Sequence, residues 1–304
     1  MKFSEAVPSV TLNALSRVSG RLAGSAAFTL FHMPLARSRT RTSERALLQR
    51  ARVDRVDVHG RHAVTYQWGD GVRPVLLVHG WQSRASRLCG LIDGLLDRGH
   101  SVVAFDAPGH GESPGRSTTI LDYRAVITAL HERHGPFDAL VAHSLGALAS
   151  FFALEHGVKA ERIVVIGGVC DYDYLVDEFC AALALRPRLK AQLHAQVARR
   201  LFPGIPAHRS PFSATDTARE VHSPVLVIHD AGDTRIRPEQ GHRLAAAFGD
   251  RARLVVTDGL GHRRILHDPD VVRTVLNFVE HERDRDRDRD RDRDRDRSRD
   301  RAGH

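Results

Sequence analysis

Residues Leu140–Leu148 read LVAHSLGAL. A single serine, Ser144, divides an apolar run ending at Ala142 and His143 from a second apolar run that opens at Leu145. A strand that turns sharply into a helix lifts such a serine onto a bend, where its hydroxyl is presented as a nucleophile. The bend crowds the positions two before and two after the serine, because strand and helix pass closely there. Glycine is favoured at both, since any Cβ meets the neighbouring backbone. Gly146 satisfies the second position, whereas Ala142 stands at the first and adds one methyl. Taken alone, the stretch is equally an ordinary strand–turn–helix with an incidental serine.

The surrounding pattern narrows the choice. Short runs rich in β-branched residues recur at Val53–Val58, Ala63–Trp68, Val75–His79, Val102–Asp106, Ala139–Ala142, Ile163–Ile166, Val225–His229 and Leu254–Thr257. Helical patterns separate most of them, at Arg84–Arg98, Thr119–His134, Leu145–His156, Glu239–Phe248 and Pro269–His281. The first two runs abut and read as a hairpin. Strands apolar on both faces and separated by helices form a mostly parallel sheet covered on each side. The predicted class is therefore α/β, with the domain over residues 51–281. Residues 170–216 break the rhythm, with no strand but amphipathic segments at Tyr174–Leu185 and Leu189–Leu201. They read as a helical cap inserted between two core strands.

Open parallel sheets bind ligands at the carboxyl ends of their strands. The residues found there are His79-Gly80-Trp81-Gln82, the loop from Asp106 to Ser113, His143-Ser144-Leu145-Gly146, the loop from His229 to Pro238, and Asp258-Gly-Leu-Gly-His262. Catalytic residue types thus gather at one edge in the order Ser, Asp, His. With the stretches LLVHGW, FDAPGHGES, AHSLGA, VIHDAGDTRIRP and DGLGH each after its strand, residues 55–280 resemble the α/β-hydrolase superfamily.

A serine hydroxyl is a weak nucleophile until a base takes its proton, and His262 is the candidate base. A carboxylate must then fix the imidazole tautomer and stabilise the imidazolium. The resemblance assigns that role to Asp233, three residues past the strand end, with Asp230 as the rival. It also implies an oxyanion hole made by the backbone N–H groups of Trp81 and Leu145. Asp106 is expected to organise its turn rather than to react. His79, His143 and Gln82 are expected to line the substrate pocket, with His79 also orienting the oxyanion loop. The reaction implied is cofactor-free cleavage of a carboxylic ester or thioester through an acyl-enzyme, with an apolar acyl group suggested by the aromatics of residues 170–216. A binding or regulatory protein on the same fold is the alternative. So is an RNA- or membrane-associated protein acting through its Arg-rich ends.

Other chemistries lack their residues. Ester-type opening of halides or epoxides in this fold places an aspartate where Ser144 stands. Residues His131–His134 lack the spacing of a zinc-protease helix, His59 and His62 lack further ligands, and no Gly-Lys-Ser/Thr follows the glycines around His110, so no metal or phosphate loop is expected.

Charge and composition describe the ends of the chain. The 304 residues carry a net +8, but residues 1–50 hold eight Lys or Arg against two Glu, and residues 282–304 hold ten Arg against nine acids. The middle is therefore nearly neutral, and the basicity belongs to the first fifty residues. There, Leu15, Val18, Leu22, Ala26 and Leu30 fall at helical spacing, consistent with a helix packed on the domain, a loose arm, a membrane-surface helix or a transit segment. The Arg-Asp repeat from Arg283 to Arg301 has nothing to bury and is expected to be disordered. Its balanced charge argues against specific nucleic-acid binding. Peripheral membrane contact by the first fifty residues stays open. Cys89, Cys170 and Cys180 form no disulfide framework, and no run reaches the roughly 20 apolar residues of a membrane span. Together with an Arg- and Ala-rich, Lys-poor composition, this predicts a cytoplasmic bacterial protein without a secretory signal.

Overall fold

A computed structural model describes residues 3–203 and 212–280. Helices α1 (Phe3–Val18), α2 (Gly20–Phe31) and α3 (Thr42–Gln49) precede the sheet. Strands β1 (Arg52–Val58) and β2 (Arg61–Trp68) follow as a hairpin. His59 and Gly60 make its two-residue turn, both at positive φ (49° and 71°), the primed geometry that matches the twist of paired strands. The remaining strands are β3 (Pro74–Val78), β4 (Ser101–Asp106), β5 (Phe137–His143), β6 (Ala160–Ile166), β7 (Val225–Asp230) and β8 (Ala252–Thr257). They form one eight-stranded sheet in the order β1-β2-β4-β3-β5-β6-β7-β8. The two pairings of β2 are antiparallel and all others are parallel.

The period of two along each strand explains why both faces are covered. Leu76, Val78, Val103, Phe105, Leu140, Ile163 and Val165 enter one apolar core. Their neighbours Val75, Leu77, Val102, Ala104, Val141, Val164 and Ile166 enter the other. The first core is closed by α5 (Ile120–His134), α6 (Leu145–Glu155) and α10 (Glu239–Phe248); the second by α4 (Cys89–Leu96) and a last helix over residues 269–280. Central strands β3, β4, β5 and β7 are buried along their whole length, while edge strand β1 is largely exposed. Capping sets helix starts in the expected way: Thr119 and Asp122 form a reciprocal capping box on α5.

Between β6 and β7 lie α7 (Tyr172–Ala182), α8 (Pro187–Leu201) and the short α9 (Ala214–Thr217). A bridge between Asp171 and Ser213 closes the base of this insertion. The helix start near Pro187 reflects the proline at its first position, where no N–H is needed.

Two readings of the sequence need correction. Arg84–Arg98 is not one helix: Ala85–Leu88 is a 3-10 turn, α4 begins only at Cys89, and the chain leaves the helix after Leu96. The Asp106 carboxylate captures the Ala85 N–H, which pins the tighter first turn. The stripe from Leu15 to Leu30 is also not one face. The helix breaks at Ser19, whose extended backbone and side chain cap α2 by accepting the Leu22 N–H, and Val18 and Leu22 point outward. Leu15, Ala26 and Leu30 of the stripe do pack against the core, beside the buried Leu12 on α1 and Ala23, Gly24 and Ala27 on α2. The Arg-Asp tail lies outside the described residues. Among the described residues, no helix is long and apolar enough to cross a membrane.

Candidate active site

Ser144 occupies the junction of β5 and α6 with φ 57° and ψ −123°. A non-glycine residue in this region costs on the order of 1–3 kcal/mol and persists only where its surroundings over-determine it. Here they do. The Ser144 N–H donates to the Ile166 carbonyl, while its own carbonyl accepts from Ala147 and Val169. Gly146 brings α6 against the end of β3: a Cβ at that position would lie 2.6 Å from the Val78 oxygen and 2.7 Å from that of His79. Ala142, by contrast, is fully buried between Val78 and Val165 across the ladder, so its methyl finds room within the sheet's apolar face.

The His262 ring lies between Ser144 and Asp233. Its Nε2 is 3.0 Å from Ser144 Oγ and its Nδ1 is 2.7 Å from Asp233 Oδ2. The elements explain the convergence. Parallel strands β5, β6, β7 and β8 end at the same edge, so the loops after β5, β7 and β8 carry the three residues to one place. Beneath them, Gly167 follows β6 at φ 53°; a Cβ there would lie 3.3 Å from His262 Nδ1 and 3.4 Å from Asp233 Oδ2. The Asp233 carboxylate is buried, which opposes ionisation. The nearby His229 and His262 rings, with the Ile236 N–H, outweigh that and hold it well below the usual carboxylate range. Its Oδ1 accepts from Arg235 and Ile236 N–H at 2.8 and 3.0 Å, leaving Oδ2 for His262.

Asp230 has different partners. It accepts from Gly232 N–H, Thr257 Oγ1 and Leu260 N–H at 3.0, 2.8 and 3.0 Å. It therefore ties the β7 end to the loop that carries His262, without approaching the imidazole ring. Asp106 likewise serves its turn. It accepts from Ala85 N–H, Glu112 N–H and the Tyr66 hydroxyl, and pairs with the buried Arg84.

The loop after β3 lies directly over the serine. A Cβ on Gly80 would meet Ser144 Cβ at 2.7 Å, so only glycine permits this approach. Trp81 is the next residue along this loop, and the Leu145 N–H, at the first position of α6, has no acceptor within its own helix.

The three pocket residues read from sequence fare differently. His79 is fully buried. Its Nδ1 donates to the Gly80 carbonyl at 2.7 Å and its Nε2 accepts the Ala107 N–H at 3.0 Å. Burial lowers its pKa to about 4, so one neutral tautomer ties the β3 and β4 loops together. His143 is buried as well. Its Nε2 donates to the His262 carbonyl at 2.9 Å, with the two rings 4.6 Å apart, and burial lowers its pKa to about 3. It supports the His262 backbone from below. Gln82 remains partly exposed beside Trp81, at a strained φ of 50°, its N–H donated to His110 Nε2.

Sequence reasoning missed His229, His110 and Tyr123. His229, the penultimate residue of β7, donates through Nε2 to the Ile236 carbonyl and lies 3.5 Å from Asp233 Oδ2. It shapes the Asp233 turn. His110 and Tyr123 pack around His79 and Trp81 with ring centroids 5.2 to 6.1 Å apart. A histidine at a strand's carboxyl end was the available signal for His229; nothing local distinguishes the other two. A groove of roughly 690 Å³ near β1 and β2, lined by Arg45, Arg55, Tyr66 and Arg84, contains none of these catalytic candidates.

The fold has counterparts among known proteins. The chain is 24% identical over 261 residues to a non-heme haloperoxidase of Rhodococcus erythropolis, covering 70% of this chain and 94% of that one. It is 29% identical over 215 residues to an uncharacterized protein of Mycobacterium tuberculosis, covering 66% of each. Among solved structures, an esterase of Pyrococcus furiosus superposes with a TM-score of 0.61 at 20% identity, over 81% of this chain and 97% of that one. A sequence model of the alpha/beta hydrolase family matches residues 75–275, from β3 into the last helix. With that match spanning every loop of the candidate site, the chain belongs to the alpha/beta hydrolase family.

Proposed function

We propose that the protein is a cofactor-free serine hydrolase that cleaves a carboxylic ester or thioester through an acyl-enzyme. The observation that carries this reading is the continuous hydrogen-bond line from Ser144 through His262 to Asp233. His262 takes the Ser144 proton as Oγ attacks the carbonyl carbon, and Asp233 stabilises the resulting imidazolium. The oxyanion is received by the N–H groups of Trp81 and Leu145. His262 then returns the proton to the departing alkoxide or thiolate. Water, deprotonated by His262, releases the acid and restores Ser144. Supporting the reading are the likeness to an esterase structure and membership of a hydrolase family.

Ser144→Ala should lower kcat/KM on p-nitrophenyl esters to roughly the level left by the oxyanion site alone, a loss on the order of 10³-fold or more. Turnover unchanged by that substitution would refute the assignment. A parallel series of p-nitrophenyl esters and acyl-CoAs of rising chain length distinguishes ester from thioester preference.

A further inference from the structure

We propose that the outward face of α1 and α2 is a docking surface for membranes that carry anionic lipid. Two opposite faces define it. The inner face is already occupied: Ser9 donates to the Leu183 carbonyl, Asn13 bonds Ala184 and Arg186, and Gly24 packs against Gln192 of α8 so closely that a Cβ would lie 2.9 Å from it. The outer face carries Val10, Val18 and Leu22, exposed to 69, 86 and 61%. On α1, Val10 and Val18 lie on the side opposite Ser9, Leu12 and Ser16, as the 3.6-residue period requires.

Single exposed apolar residues are ordinary on protein surfaces. Here they are concentrated: of the seven large hydrophobic residues exposed among the described residues, four fall between Val10 and Leu35. On either side of the break at Ser19, Val18 and Leu22 each adjoin an exposed arginine in sequence, Arg17 and Arg21. No acidic residue stands between Glu5 and Glu44 to neutralise them. Apolar side chains interleaved with unneutralised arginines match a bilayer interface, where the apolar groups enter the acyl boundary and the guanidiniums meet lipid phosphates. A nucleic-acid backbone would satisfy the arginines but give Val18 and Leu22 nothing. Because α1 and α2 pack on α8, and His32 bonds the Tyr172 hydroxyl of α7, docking would hold the cap at the membrane surface.

The test uses full-length Ser144→Ala protein, so that binding is measured independently of catalysis. It is sedimented with vesicles of phosphatidylcholine alone and of phosphatidylcholine containing phosphatidylglycerol. Binding is expected only to the anionic vesicles and is expected to weaken with salt. Arg17→Gln/Arg21→Gln should weaken it roughly thirtyfold. Val18→Asp/Leu22→Asp should weaken it at least as much, while the same substitutions in the Ser144 protein leave turnover of a soluble ester unchanged. No binding to anionic vesicles at low salt, or binding that both double variants retain, overturns the proposal. So does RNA binding of similar strength that is insensitive to Val18→Asp/Leu22→Asp, which would make the surface a nucleic-acid site.

Discussion

The loops after β4 and β7 each bury aspartates at the same edge of the sheet, and they put them to different uses. Asp106 spends both oxygens on backbone N–H groups, the Tyr66 hydroxyl and Arg84. Its charge is consumed in holding a turn. After β7 the work is divided between two residues. Asp230 takes the structural share, binding Gly232, Thr257 and Leu260. Asp233 satisfies one oxygen with the turn's N–H groups and directs the other at an imidazole that itself reaches a serine. Residue type and burial alike fail to distinguish these carboxylates; their partners differ, since Asp106 and Asp230 end on fixed donors and Asp233 ends on the His262 ring that also reaches Ser144.

The contrast can be broken by substitution. Asp233→Asn keeps the turn but offers His262 an amide in place of a charge, so kcat should fall by about 10³- to 10⁴-fold with KM little changed. Steady-state kinetics checks this; a loss below tenfold would return Asp233 to the structural class. Asp106→Ala should do the opposite. It leaves the buried Arg84 without its inner partner and should cost about 3 kcal/mol or more in urea unfolding, with kcat per folded molecule within about tenfold. Asp230→Ala should cost about 1–3 kcal/mol by freeing buried donors, and should lower activity less than Asp233→Asn.

The pH dependence of stability sharpens the same point. The folded chain holds the Asp233 pKa below its ordinary value, so the folded state binds that proton more weakly than the unfolded chain does. The resulting stabilisation is fully present above the unfolded value of about 4 and is lost as pH falls toward the folded value. The stability difference between the wild type and Asp233→Asn should therefore shrink as pH drops below about 4, as measured by denaturant midpoints. The smallest effect is expected at Ala142→Gly. The methyl is buried without crowding Ser144, so its loss should shift stability by about 1 kcal/mol and kcat/KM by less than about tenfold.

The central strands and the loop set were legible because parallel strands buried on both faces leave apolar runs, and because the residues at their carboxyl ends differ so sharply from those runs; β1 and β2 were legible as an abutting hairpin instead. Ser144 and His262 could be read as candidates from their places after the strands and Asp233 from the resemblance, and the structure brings the three within hydrogen-bond distance. What the pattern did not reveal was set by three-dimensional partners. His79 and His143 sit where pocket residues sit in sequence, yet their rings are committed to the Gly80 and His262 carbonyls. Asp230 and Asp233 are three residues apart, and only the fold of the β8 loop decides which one faces the imidazole. The break at Ser19 was hidden because Leu15, Ala26 and Leu30 pack on either side of it, and only Val18 and Leu22 next to the break turn outward.

The central claim, that Ser144 is the activated nucleophile of this edge, is tested most directly by intact-mass analysis after exposure to a fluorophosphonate. The account predicts one stoichiometric adduct, located on Ser144 by peptide mapping, absent from Ser144→Ala and strongly slowed in Asp233→Asn. An unlabelled wild-type protein, or an adduct that persists in Ser144→Ala, would contradict it.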